Sequence, residues 1–94
     1  MRIRWTRGAN QNLEQIQEYI AQDNPSAAID VVFKIIKSVE ILLDHPAIGR
    51  PGRVMDTREL VVNGTQYIVP YRIKKEYVEV LRVLHSARQW PENL

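Results

Sequence analysis

The sequence predicts an α+β domain: an N-terminal strand, an antiparallel helix hairpin, then a three-stranded antiparallel meander, with the helices packed on one face of a twisted sheet. Three observations predict it. Residues 1–6 alternate polar and apolar side chains, two segments between Ala9 and Asp44 carry apolar residues three and four apart, and three β-rich runs separated by reversal signals fill the second half. A chain of 94 residues buries only about 60 to 65 per cent of the surface it exposes when unfolded, so residues 1–94 make one domain around one core.

The first strand places Ile3 and Trp5 on one side, and its shortness suits the border of a sheet. Both tryptophans have a packing role available, Trp5 against the helices and Trp90 at the end of the core. In the first helix Ala9, Leu13, Ile16, Tyr19 and Ile20 form the apolar face, with Thr6 as N-cap. Asp23-Asn24-Pro25 ends it, and Asn24 caps a second helix whose stripe is Ala28, Val31 or Val32, Ile35, Val39 and Leu42, widened by Ile36 and Leu43 and running to about Asp44. So short a connection makes the helices antiparallel.

The segment from His45 to Arg53 holds two prolines and two glycines and is read as an irregular loop. Asn63-Gly64 lies between Arg58–Val62 and Gln66–Ile73, the signal for a hairpin with a type I′ turn. Lys74-Lys75-Glu76 makes the next reversal. Tyr77 to His85 follows as a third strand, apolar on both faces and therefore central. Pro70 has no N–H and belongs at a bulge or at an unpaired position. Since the helices cover one face, the other is expected to be open to a partner or substrate.

Composition narrows the function. The hydrophobic fraction of 45% with 26% charged residues fits a water-soluble protein, and no apolar run approaches the ~20 residues of a membrane span. The start lacks the pattern of a secretory signal, so a cytoplasmic location and no membrane partner are expected. Without cysteine, and with only His45 and His85, no disulfide, metal site or cofactor is expected. Residues 1–49 hold five Lys/Arg against six Asp/Glu and residues 50–94 eight against five, so the net charge of +2 comes from the second half. Arginine predominates there, and its planar fork suits phosphate and carboxylate.

The ordered set Arg58–Val62, Tyr67–Ile73 and Val80–Pro91, after a Leu13/Ile16/Tyr19 helix and an Arg50-Pro51-Gly52 loop, resembles the ParE/RelE superfamily over nearly the whole chain. The resemblance implies the toxin of a bacterial type II toxin–antitoxin pair, held inactive by a cognate antitoxin whose flexible segment folds on binding. It leaves two targets open, with ParE-like poisoning of DNA gyrase preferred. The other is the ribosome, where RelE-like members cut mRNA. A third reading is an inactive binding protein that retains the fold.

Cleavage of RNA without metal needs a base for the 2′-hydroxyl, cations for the phosphorane and an acid for the leaving oxygen. Arg72, Arg82, His85 and Arg88 are the candidates, with Arg72 and His85 a clamp and proton carrier if adjacent strands bring them together. The alternative for His85 is a hydrogen bond to the Ser86-Ala87 turn, and for His45 a place at a helix terminus. RNA-cutting relatives often carry an arginine where this chain has Ile68 and a basic C-terminal helix with a tyrosine or lysine, whereas no tyrosine follows Tyr77 here. Gyrase binding would need only a surface, for which Arg50, Arg53, Arg58, Arg88 and Trp90 are the candidates. Tyr67 and Tyr71 share one side of their strand, as core residues or as a stacking platform.

Overall fold

The computed structural model describes residues 1–94, and its elements run β1 (Arg2–Trp5), α1 (Arg7–Ala21), α2 (Pro25–Glu40), β2 (Arg50–Pro51), β3 (Arg58–Val61), β4 (Tyr67–Ile73), β5 (Tyr77–Val80) and β6 (Leu84–His85). The two-layer architecture is the expected one. Thr6 caps α1 by accepting the Ala9 N–H at 3.1 Å, and Asn24 caps α2 by accepting that of Ala27 at 3.1 Å. The α-helix ends at Glu40 rather than near Asp44; Ile41–Leu43 tighten into a 3₁₀ turn before His45-Pro46.

The sheet order is β1-β5-β4-β3-β2, with β6 also on β4. β1 is a border strand as expected, and it pairs parallel with β5, Ile3 opposite Val78 and Trp5 opposite Val80, so the sheet is mixed. The β3-β4-β5 meander is antiparallel. Four further expectations, for the loop after α2, the hairpin turn, the third strand and the open face, are corrected here. The loop after α2 is not wholly irregular, since Arg50 and Pro51 pair with Glu59 and Arg58, a position where Pro51 occupies an edge strand. The hairpin turn is not type I′: φ is positive at Gly64 (78°) but not at Asn63, and Thr65 N–H donates to the Val62 carbonyl at 3.2 Å, so glycine stands third in the turn, as in type II.

The third correction concerns Tyr77–His85, which is two short strands rather than one. Tyr71 pairs with Val80 and Ile68 with Leu84, so Val69 and Pro70 face Leu81, Arg82 and Val83, a bulge with one extra residue. Pro70 causes it: it lacks the N–H that would continue the ladder, while its carbonyl accepts the Leu81 N–H at 2.9 Å.

Leu60, Val69, Tyr71, Val80 and Trp5 face the helices by register, and they form the core with Ala9, Ile16, Ile35, Val39 and Leu42. Fully burying each such aliphatic side chain contributes about 1.5–3 kcal/mol. Tyr71 is wholly buried and its hydroxyl is satisfied, accepting the Gly49 N–H at 2.9 Å and donating to the Pro46 carbonyl at 2.6 Å, which makes it core and not a platform. Ile36 and Leu43 do not widen the buried stripe of α2; both are exposed, as are Ile29 and Phe33. The fourth correction is to the face opposite the helices: it is not open at its centre, where Ile68, Pro70 and Leu81 are buried.

Candidate functional site

Glu59 lies on that second face, paired in register with Pro70 and Arg50. Alternation along β3 would give a charged residue there an aqueous setting, yet its side chain is only 4% exposed. Arg50 answers the buried charge through Nε and Nη2, both 3.1 Å from Oε1, and Arg53 through its backbone N–H at 2.9 Å and Nε at 3.2 Å on Oε2. Burial pushes the carboxyl pKa up, but these donors outweigh it and hold it below the ordinary 4.5. The Arg53 guanidinium in turn lies 3.4 Å from the centre of the Trp90 ring, a cation–π contact that fixes the C-terminal segment.

The turn that presents Arg53 is built locally. Thr57 donates through N and Oγ1 to the Val54 carbonyl, at 3.2 and 2.6 Å, and Gly52 N–H reaches the Thr57 carbonyl at 2.8 Å. Asp56 sits at φ 62°, a left-handed conformation that aspartate tolerates. Arg58, though next in sequence, turns to the helix side and donates through Nη1 to the carbonyls of Gly49 at 2.7 Å and Ala47 at 3.1 Å, tying down the loop after α2. Of the five binding-surface candidates the fold therefore gathers Arg50, Arg53 and Trp90, and uses Arg58 inside the structure. Arg88 makes none of these contacts; its guanidinium lies 5.3 Å from the Tyr19 ring.

Beyond Trp90 is a cavity of about 360 Å³ between α1, the start of β4 and the C-terminal segment. Tyr67 and His85, paired in register, meet edge to face at 5.5 Å in its wall. His85 Nδ1 accepts the Ala87 N–H at 3.1 Å, the turn contact named among the alternatives, and Trp90 Nε1 donates to the His85 carbonyl at 3.3 Å. His85 and Arg88 thus share one cavity. Arg72 and Arg82 do not join them. Arg72 stands five residues along β4 from the partner of His85, roughly 16 Å at strand spacing and on the opposite face, where it pairs with Glu79 at 3.7 Å; the Arg72–His85 clamp is therefore not formed. The Arg82 guanidinium packs on α1, so that a Cβ at Gly8 would meet its Nη1 at 2.5 Å, and its Nε is buried without a partner.

Sequence reasoning missed Glu59 and the α1 contribution. The carboxylate's signal was its place directly after Arg58, six residues past Arg53, at the start of an apolar strand; Tyr19 was assigned to the core, but it is 58% exposed and lines the cavity.

Two helices over a mixed sheet, with an arginine-bearing second face and an aromatic cavity at the C-terminal end, define a small α+β protein. The model of the ParE toxin of type II toxin–antitoxin systems matches residues 3–90, and the chain belongs to that family. It is 50% identical over 93 residues to a Sinorhizobium fredii protein that carries the toxin designation Y4kP, covering 99% of this chain and 96% of that one. It is 32% identical over 84 residues to the toxin RelE2 of Caulobacter vibrioides, covering 89% and 93%. Among solved structures it is similar to a chain of the chromosomal ParDE system of P. aeruginosa (TM-score 0.81, 28% identity, 90% of this chain and 95% of that one). It is also similar to one of the RelBE2 toxin–antitoxin complex of Mycobacterium tuberculosis (TM-score 0.57, 28% identity, 89% and 95%).

Proposed function

We propose that this toxin acts by binding DNA gyrase and blocking replication, and that a cognate antitoxin neutralises it. The observation that carries the reading is the dispersal of the charged groups an RNA-cleaving centre would gather: Arg72 is paired with Glu79, and Arg82 packs on α1. In addition, Ile68 is buried where RNA-cutting members of the superfamily often place an arginine. What the fold assembles instead is a surface, Arg50, Arg53 and Trp90 held by Glu59, with Arg88 nearby on the C-terminal segment. Arginine and tryptophan are the side chains that dominate protein–protein contact energies.

The antitoxin reading is supported by α2, where Ile29 (64% exposed) and Phe33 (58% exposed) stand one turn apart, with Ile36 a turn further on. An apolar stripe facing away from the core fits an amphipathic segment of a partner.

Adding the purified toxin to gyrase and supercoiled plasmid is expected to yield linear DNA trapped on the enzyme. An unchanged supercoiling reaction ends the gyrase reading. The second reading, RelE-like cleavage of ribosome-bound mRNA, is favoured by the shared cavity of His85 and Arg88 and by the similarity to RelE2. Primer extension would then show codon-positioned cuts that disappear in His85→Ala and Arg88→Ala.

A further inference from the structure

The second face of the sheet carries a charge array away from Trp90 and the cavity beside it. Ile3 and Trp5 face the helices, so alternation along β1 turns Arg2 and Arg4 the other way, and both are exposed. Arg4 stands opposite Glu79, and Glu79 opposite Arg72, which makes one row across β1, β5 and β4. Arg2 stands opposite Tyr77, whose carbonyl accepts the Lys74 N–H at 2.8 Å, which makes a second. Each row thus has a cation at both ends. The rows lie roughly 7 Å apart, and the ends of a row, two strands apart, are separated by roughly 10 Å. Glu79 is the one carboxylate in the two rows. It lies 3.7 Å from Arg72, while Arg2, Arg4 and Lys74 enter no ion pair. In the turn beyond, Lys75 and Glu76 offset each other. The corner at Arg72 and Lys74 is hollowed, since both line a cavity of about 430 Å³ together with Thr57, Arg58 and Asp56.

We propose that this face binds the backbone of duplex DNA, with Arg2, Arg4, Arg72 and Lys74 each meeting a phosphate. Cations that enter no ion pair meet a phosphate without first giving up a carboxylate, and three of the four are in that state. A duplex carries one charge per ~1.7 Å of its axis and presents phosphates on both sides of each groove. It therefore answers an array that extends in two directions. An extended acidic peptide sets its carboxylates along one line and would meet one row. A single strand gains most from stacked bases, and the Tyr77 ring, the one aromatic in the rows, lies under the Arg4 guanidinium at 5.1 Å. The choice of nucleic acid rests on the gyrase reading, since that enzyme holds duplex DNA. A toxin bound to it through Arg50, Arg53 and Trp90, on the β2 and β3 side, would keep the β1, β5 and β4 side of the same face for the DNA.

The test uses the intact chain, without gyrase, and a labelled DNA duplex of about two helical turns. Fluorescence anisotropy at several salt concentrations gives the slope of log affinity against log salt, expected to be about −3.6, at about 0.9 for each of four phosphates. Arg2→Ala/Arg4→Ala, at exposed positions, should weaken binding roughly tenfold or more and flatten the slope by about 1.8. Arg2→Lys/Arg4→Lys keeps both charges and should restore both quantities. Lys74→Ala, at the other end of a row, should flatten the slope by about 0.9. Lys34→Ala/Lys37→Ala removes the same two charges from exposed positions of α2 and should leave the slope unchanged. Equal losses from the α2 pair, a slope that no substitution in the rows alters, or tighter binding of a single strand, an RNA duplex or a polyglutamate peptide than of the DNA duplex overturns the proposal. The supercoiling reaction reads the gyrase hypothesis separately, so either idea can fail alone.

Discussion

The guanidinium of Arg53 and the indole of Trp90, 3.4 Å apart, join the loop before β3 to the C-terminal segment. Arg53 is itself held from behind by Glu59, so the position of Trp90 is set by a carboxylate two contacts away. Replacing Arg53 with alanine is expected to shift Trp90 emission to the red and to cost about 0.5–2 kcal/mol of stability in urea unfolding. An unshifted spectrum would mean that the tail is fixed by the Trp90–His85 hydrogen bond alone.

Glu59 gives a signed pH dependence. Its folded-state pKa lies below the ordinary 4.5, so its stabilisation is present above that value and is lost as pH falls through the lowered one. The wild-type melting temperature should therefore drop as acid is added below pH 4.5, over and above the background of other carboxylates. Glu59→Gln should be less stable at pH 7 and should show a shallower acid limb. Parallel acid limbs for the two proteins would contradict the assignment.

Tyr71→Phe tests the buried hydroxyl. The ring stays, but Gly49 N–H and the Pro46 carbonyl lose their partner inside the protein, a loss of about 1–3 kcal/mol measured by chemical denaturation. Gly49→Ala should be worse, because a Cβ there would fall 2.6 Å from the Tyr71 hydroxyl oxygen and ring edge.

Phe33→Ser separates partner binding from folding. The side chain is exposed, so the melting curve should move by no more than about 0.5 kcal/mol. Titration calorimetry with the antitoxin should show at least a tenfold loss of affinity. Full affinity would remove α2 from the interface.

Elements governed by local chemistry were legible in the sequence. Thr6, Asn24-Pro25 and the spacing of Ala28, Ile35, Val39 and Leu42 announce both helices, and Pro70 announced its bulge, because caps, proline geometry and helical period act within a few residues. What escaped depends on distant partners. The pairing of Arg50-Pro51 with β3 needs the hairpin beside it, and Glu59 is buried only because Arg50 and Arg53 arrive from another loop. The site was legible in residue types more than in grouping: Arg50, Arg53 and Trp90 come together, as do His85 and Arg88, but Arg58 and Arg72 are spent on loop carbonyls and Glu79. Nothing in the linear pattern told that Tyr19 would stand at a cavity rather than in the core.

The parallel pairing of β1 with β5, reinforced by the Thr6 hydroxyl donating to the Leu81 carbonyl across 75 residues, has a consequence for biosynthesis. The first strand emerges from the ribosome long before the strand it must join. Until then its edge, and α1 behind it, lack their neighbours, and closing so wide a loop is a slow step. The sheet is completed last, with the tail that carries His85, Arg88 and Trp90 following directly. The border of the sheet therefore waits on residues some 75 positions further along the chain.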